Sequence, residues 1–267
     1  MKHLLPDKLN LYYEYFQRSP QSKTLVFLNG LSQSTLSWFP YVNAFRNDYN
    51  ILLIDNIFQG QSDKAGEFRT FEQHAADIRH LLDALGLRQV ILVGISYGGA
   101  VAQRFMVKHT DYVDKAVLLS TFAYKTAYFN ELGYSWKRAL QADGYGLMFD
   151  VMLPSVLGKF YFDNPLVPID DLRKMRAGVN ENRDALLKLM RATEESGDYR
   201  HELVNLKIPA LVVNGEVDIL TTPEMGRGLA DALPNSRFVV LKHKGHTLNL
   251  EAIPETIDLI RQFARIE

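Results

Sequence analysis

The stretch Ile91-Leu92-Val93-Gly94-Ile95-Ser96-Tyr97-Gly98-Gly99-Ala100 constrains this chain more than any other. Its first three residues read as the end of a buried strand. Gly94-x-Ser96-x-Gly98 follows, and Ala100 to Met106 then reads as a helix. A serine at such a strand-to-helix junction must sit on a very tight turn if its hydroxyl is to stand clear. Glycines beside it let the strand and the helix approach each other. The start of the helix also offers a backbone N–H, from Tyr97, to an anion forming beside Ser96. The same five-residue pattern occurs in turns whose serine only caps a helix. The strand before it, the helix after it and the partner residues below select a nucleophilic serine.

The 267 residues suffice for one large α/β domain or two small ones. Hydrophobic content of 47% and charged content of 23% allow a sizeable core. The net charge of −1 carries no basic block, so nothing points to nucleic acid or to an anionic membrane. The absence of cysteine removes disulfides, thiolate metal sites and a cysteine nucleophile from consideration. Met1 to Asp7 lacks the long apolar core of a signal peptide. No apolar run approaches the roughly 18 residues of a membrane span. The expectation is therefore a cytoplasmic protein with no membrane span. The sequence specifies no partner chain and no oligomeric state.

Leu9 to Phe16 reads as an opening strand, and Ser19-Pro20-Gln21-Ser22 as a turn. Thr24 to Leu28 is a continuous apolar run, as expected of a strand buried on both faces. A polar loop follows from Asn29 to Ser34, then a helix from Ser37 to Phe45. The next buried strand runs from Tyr49 to Ile54, ends at Asp55, and leads into the turn Phe58-Gln59-Gly60-Gln61-Ser62. Thr70 to Leu85 has helical apolar spacing, and Gly86 stops it. The strand from Gln89 to Val93, a helix to about His109 and a strand from Ala116 to Ser120 complete the first half. Alternating strands and helices with short links predict an α/β fold with a mostly parallel sheet and helices on both faces. Ligands bind such sheets at the carboxyl ends of the strands, where Asn29, Gln59 and Ser96 all fall.

The rhythm then breaks. Phe122 to about Leu206 contains helical pieces only, including Gly133 to Ala142, one through Met175 capped by Asp170 and Asp171, and Arg183 to Glu195. Pro154, Pro165 and Pro168 lie between these pieces. The segment is too long for a loop within a compact sheet. The expected organisation is a core of residues 1–121 and 207–267, with 122–206 inserted as a helical cap over the strand ends. The cap is rich in large side chains: Tyr124, Tyr128, Phe129, Tyr134, Trp136, Met148, Phe149, Met152, Phe160, Tyr161 and Phe162. Most should form the cap's own core, and as a set they favour an apolar pocket roof. Trp136 is taken as a substrate-binding candidate. Strands resume at Pro209 to Gly215 and at Arg237 to Leu241, with a helix from Thr221 to Ala232 between them. A last helix runs from about Asn249 to Phe263, interrupted near Pro254.

A serine hydroxyl is a poor nucleophile until a base takes its proton, and that base needs a third group to hold its tautomer. His246 follows a late strand directly after Gly245, which puts it at the same sheet edge as Ser96. His243, at the strand end, is its rival. Asp218 follows another strand by a short turn, with Glu216 as the rival carboxylate. The loop after Ser120 has no carboxylate until Glu131, which strengthens Asp218.

The order Ser96, Asp218, His246 resembles that of the α/β-hydrolase superfamily. The likeness covers nearly the whole chain. It rests on the Asn29-Gly30 loop, Asp55 to Ser62, Gly94-Ile95-Ser96-Tyr97-Gly98-Gly99, Asn214-Gly215-Glu216-x-Asp218, and Gly245-His246 with Glu251. It implies a carboxylesterase-like serine hydrolase, a lactonase or a related acyl hydrolase. Such an enzyme would take a small-molecule ester or acyl substrate with short-to-medium acyl chains and would use no cofactor and no metal. It also implies that the backbone N–H groups of Leu31 and Tyr97 form the oxyanion hole. Two segments depart from the usual pattern: Asn29-Gly30 replaces His-Gly, and Ile57-Phe58-Gln59-Gly60-Gln61-Ser62 replaces Arg-Gly-x-Gly-x-Ser. Both are similar to the acyltransferase that joins hydroxyacyl chains in rhamnolipid synthesis, and they make Asn29 and Phe58 further substrate-binding candidates. The side chain of Asn29 is alternatively an organiser of its loop, and Asp55, Gly60 and Ser62 are expected to stabilise a turn. Acyl transfer on the same triad and non-enzymatic ligand binding on a hydrolase-like fold are the competing functions.

Overall fold

The computed structural model describes residues 1–177 and 182–265, so residues 178–181 of the expected cap lie outside the described residues. Its strands are β1 (Lys2–Leu4), β2 (Asn10–Phe16), β3 (Thr24–Leu28), β4 (Asn50–Asp55), β5 (Val90–Ile95), β6 (Val113–Leu119), β7 (Ala210–Gly215) and β8 (Ser236–Leu241). They form one 8-stranded sheet in the order β1-β2-β4-β3-β5-β6-β7-β8. β2 runs antiparallel to β1 and β4, and every other pair is parallel. The expected mostly parallel sheet is therefore present. β1 was not foreseen: three residues carry too little alternation to read, and pairing with β2 defines them.

The helices are α1 (Phe39–Phe45), α2 (Phe71–Ala84), α3 (Tyr97–Lys108), α4 (Ala127–Val156), α5 (Lys159–Asp163), α6 (Ile169–Ala177), α7 (Arg183–Glu195), α8 (Arg200–Leu203), α9 (Pro223–Ala232), α10 (Leu248–Glu251) and α11 (Ile253–Arg265). Every residue of β3, β4, β5 and β7 is buried, which explains their unbroken apolar runs. One apolar layer places Phe71, Ile78 and Phe105 of α2 and α3 against the sheet. The opposite layer places Tyr41, Phe45, Ile260 and Phe263 of α1 and α11 against the other face. α2 begins with a reciprocal cap: Gln73 N donates to Thr70 Oγ1 at 3.3 Å, and Thr70 N donates to Gln73 Oε1 at 2.8 Å.

Parallel register gathers the carboxyl ends of β3, β4, β5, β6, β7 and β8 at one edge. Among the described residues, the elements between β6 and β7 are helices α4 to α8. The helix expected over Gly133 to Ala142 is one half of a longer element. α4 kinks at Asp143 and Gly144, where Gly144 takes φ 76°, and then continues to Val156. Pro154 lies inside its last turns and does not break it, whereas Pro165 and Pro168 do fall between α5 and α6.

The turn from β5 to α3 depends on close backbone contact. A Cβ at Gly98 would sit 2.3 Å from the Leu28 carbonyl oxygen, and one at Gly94 would sit 2.5 Å from the Gly98 carbonyl oxygen. Both obstacles are backbone and cannot rotate away. Gly98→Ala is therefore expected to cost about 3 kcal/mol or more of stability, since overpacking against fixed backbone is the extreme case. A thermal melt checks this; a melting temperature equal to that of the unaltered protein would contradict the packing described.

Candidate active site

Ser96 sits between β5 and α3 at φ 50°, ψ −115°. A non-glycine residue is strained there by about 1–3 kcal/mol, and the surrounding packing must impose it. Ser96 N donates to Leu119 O at 2.9 Å, and Thr121 Oγ1 donates to Ser96 O at 2.7 Å, so both peptide groups of the serine are tied to β6 and its loop. Its Oγ lies 2.9 Å from His246 Nε2. His246 Nδ1 lies 2.9 Å from Asp218 Oδ2. The sequence-chosen serine, histidine and aspartate thus form one hydrogen-bonded chain.

The polarity of that chain follows from its acid. The Asp218 carboxylate accepts at Oδ1 from Leu220 N and Thr221 N, both at 2.9 Å, and at Oδ2 from Thr221 Oγ1 at 2.8 Å. Its side chain is fully buried. A carboxylate so placed also accepts from the proton on His246 Nδ1, which leaves Nε2 free to accept from the serine hydroxyl. Thr221 Oγ1, 3.1 Å from the same Nδ1, braces both groups. Asn214 Nδ2 donates to Thr221 O at 2.8 Å and fixes that brace in turn.

The rivals are elsewhere. His243 is exposed; its N–H donates to Glu216 Oε2 at 2.9 Å, and its ring packs edge-on to Phe160. Glu216 is exposed too.

The N–H groups of Leu31 and Tyr97 have no hydrogen-bond partner among the described residues. Tyr97 N is free because it opens α3. Leu31 N is free because side-chain amides hold the loop around it. Gln59 Nε2 donates to Gly30 O at 2.8 Å and to Leu31 O at 3.3 Å, while Gly30 N donates to Gln33 Oε1 at 3.3 Å. Asn249 Nδ2 donates to the same Gln33 oxygen at 3.0 Å.

Asn29 and Phe58 are not where substrate binding would need them, and neither lines the cavities beside Ser96. Asn29 is fully buried with its amide saturated: Nδ2 donates to Ile54 O and Asp55 Oδ1, and Oδ1 accepts from Trp38 Nε1, each at 2.9 Å. It organises its loop. Phe58 is buried edge-on to His74, with the Lys188 ammonium 5.1 Å from its ring centre. Asp55 accepts from Thr35 N and Gln61 N at 2.8 Å, and Ser62 Oγ donates to Asp55 O at 2.5 Å, so these residues build the turn as expected. Burial pushes the Asp55 carboxyl above the usual aspartate value, against the pull of those donors.

Trp136 does reach the site. With Leu31 and Leu220 it lines two chambers that both open on Ser96, called inner and outer below. The inner chamber, about 70 Å³, adds His246, Phe149, Met152, Leu153 and Leu172. The outer chamber, about 390 Å³, adds Tyr97, Phe122, Phe129, Met190 and a rim carrying Lys125, Glu131 and Glu194. Of the other large side chains between β6 and β7, Tyr128, Phe160 and Phe162 are exposed.

Glu251 joins this segment to the histidine loop. Its Oε2 accepts from Gly158 N at 3.0 Å and Gly245 N at 2.8 Å, and its Oε1 from Thr247 N at 3.2 Å. A Cβ at Gly245 would lie 2.1 Å from Gly158 N, so the two loops touch backbone to backbone. An amide offers one acceptor oxygen and would turn its NH₂ toward an N–H. Glu251→Gln is therefore expected to cost about 1–3 kcal/mol, the penalty of an unsatisfied buried donor. At this chain length that is a loss of several degrees in melting temperature, and an unchanged melt would contradict the clamp.

The family profile described as "alpha/beta hydrolase fold" matches residues 23–147, and one described as "TAP-like protein" matches 190–258. The chain is 30% identical over 264 residues to the uncharacterized hydrolase YugF of Bacillus subtilis, covering 94% of this chain and 92% of that one. It belongs to the α/β-hydrolase family. It is 23% identical over 268 residues to an (R)-3-hydroxydecanoyl-ACP:CoA transacylase of Pseudomonas aeruginosa, covering 96% of this chain and 86% of that one. Among solved structures it matches an α/β-hydrolase enzyme from a Medee basin deep-sea metagenome library, with TM-score 0.92 and 26% identity, over 100% of this chain and 98% of that one. No helix among the described residues is long and apolar enough to cross a membrane.

Proposed function

We propose that the chain is a serine hydrolase that cleaves a carboxylic ester, thioester or lactone of short-to-medium acyl chain through an acyl-Ser96 intermediate. The observation that carries this is the chain of two 2.9 Å contacts, Ser96 Oγ to His246 Nε2 and His246 Nδ1 to Asp218 Oδ2, opening on an apolar cavity. Ser96 Oγ attacks the acyl carbon and gives its proton to His246 Nε2. The carbonyl pair moves to oxygen, which the N–H groups of Leu31 and Tyr97 receive. The tetrahedral carbon collapses, the bond to the leaving group breaks, and His246 returns the proton to it. Water then repeats the sequence on the acyl-serine, with His246 as base. Asp218 stays ionised and stabilises the imidazolium. Residues 122–206 act as the cap that excludes bulk water and shapes the pocket.

The test is to supply ethyl butanoate and ethyl octanoate and to analyse products by mass. Saturable release of free acid is expected. Absence of acid from any ester, or formation of acyl-transfer products only, would overturn the reading.

A further inference from the structure

The two chambers are not equivalent with respect to the proton. Ser96 borders both, but His246 lines only the inner one. When Ser96 Oγ has added, three substituents of the tetrahedral carbon remain to be placed. The oxyanion points to the N–H groups of Leu31 and Tyr97. The leaving oxygen must lie within hydrogen-bond reach of His246 Nε2, because an alkoxide cannot depart without that proton. The acyl carbon takes the direction that is left.

We infer that the inner chamber is the leaving-alcohol site and the outer chamber the acyl site, so that this enzyme selects esters of small alcohols carrying longer acyl chains. The inference rests on the hydrolase reading above and narrows its substrate. About 70 Å³ is room for about two waters at the roughly 30 Å³ each takes in the liquid, so only a short alkyl group fits without displacing a wall. The outer chamber, at about 390 Å³, accepts a far longer chain against Phe122, Phe129 and Met190.

One wall of the inner chamber is shared with a surface groove of about 270 Å³ that carries Leu36, Leu166 and Met175: Gln33, Leu172 of α6, Thr247 and Leu250 of α10 line both. A long alcohol would have to displace this wall to reach that groove, and truncating Leu172 within it should lengthen the alcohol accepted. A pantetheine-type thiol, many times larger than the chamber, is disfavoured as a leaving group on the same ground.

Two isomeric esters test this, butyl octanoate and octyl butanoate. They have the same formula and the same number of apolar carbons, so solubility and bulk hydrophobicity do not separate them. Alkyl esters are used because p-nitrophenolate leaves without a proton and escapes the constraint. The expected result is a kcat/KM at least tenfold higher for butyl octanoate. Equal values, or a preference for octyl butanoate, would overturn the assignment while leaving the hydrolase reading intact. Turnover of neither, nor of the ethyl esters, would sink that reading and the inference with it. In Leu172→Ala, the ratio of octyl butanoate to butyl octanoate kcat/KM is expected to rise at least fivefold. An unchanged ratio in a folded variant would contradict the role given to Leu172.

Discussion

Ser96→Ala is expected to lower turnover by about six orders of magnitude, the scale seen when a triad nucleophile is removed. Ser96 Oγ is the hydroxyl that hydrogen-bonds to His246 Nε2, at 2.9 Å. The fold should be untouched. Alanine at φ 50° suffers the same backbone strain as serine, and the main-chain bonds from Ser96 N and to Ser96 O do not involve the hydroxyl. A melt within about 1 °C of the unaltered protein, together with loss of acid release in a pH-stat, would fit. Retained turnover in the purified variant would remove the serine from the mechanism.

Asp218→Asn is expected to cost on the order of 10⁴ in turnover, by the tautomer argument that applies to triads generally. The structure says why the amide would land the wrong way round. Leu220 N and Thr221 N both donate to Oδ1, so an asparagine keeps its oxygen there. Its NH₂ then occupies the Oδ2 position, 2.9 Å from His246 Nδ1. Facing a donor, Nδ1 gives up its proton and Nε2 carries it, where it can no longer accept from Ser96. Glu216→Gln should stay within about threefold, since Glu216 is exposed and its side chain accepts from His243 N, away from Ser96. The opposite ranking in steady-state assays would show that the acid had been misassigned.

The hydrogen-bonded chain of Ser96, His246 and Asp218 was legible in the sequence because each member stands in the loop or turn that follows a strand, and parallel strands bring their carboxyl ends together. Ser96 follows β5, Asp218 follows β7 and His246 follows β8, so topology alone collected them. Trp136 was legible as a large side chain in the helical segment between β6 and β7. Asn29 and Phe58 were not, because a departure from a family pattern tells that a position differs without telling which way its side chain points. Both turned inward and became scaffold. The supports of the site were also hidden. Thr221 beside Asp218, Gln59 beneath Leu31 and Glu251 between Gly158 and Gly245 act across gaps of 3 to 93 residues, and no local spacing announces them. The kink at Asp143 and Gly144 was hidden for a related reason: sequence periodicity ends there, but helix geometry resumes one residue later.

The central claim is that Ser96 carries the acyl group. The direct measurement is to mix the enzyme with excess ester, quench in acid within the first turnovers, digest, and read peptide masses. An increment equal to the acyl group is expected on the peptide containing Ser96, absent from Ser96→Ala and decaying as free acid appears. Steady acid release with no acylated peptide at any time, or acyl found on another residue, would contradict it.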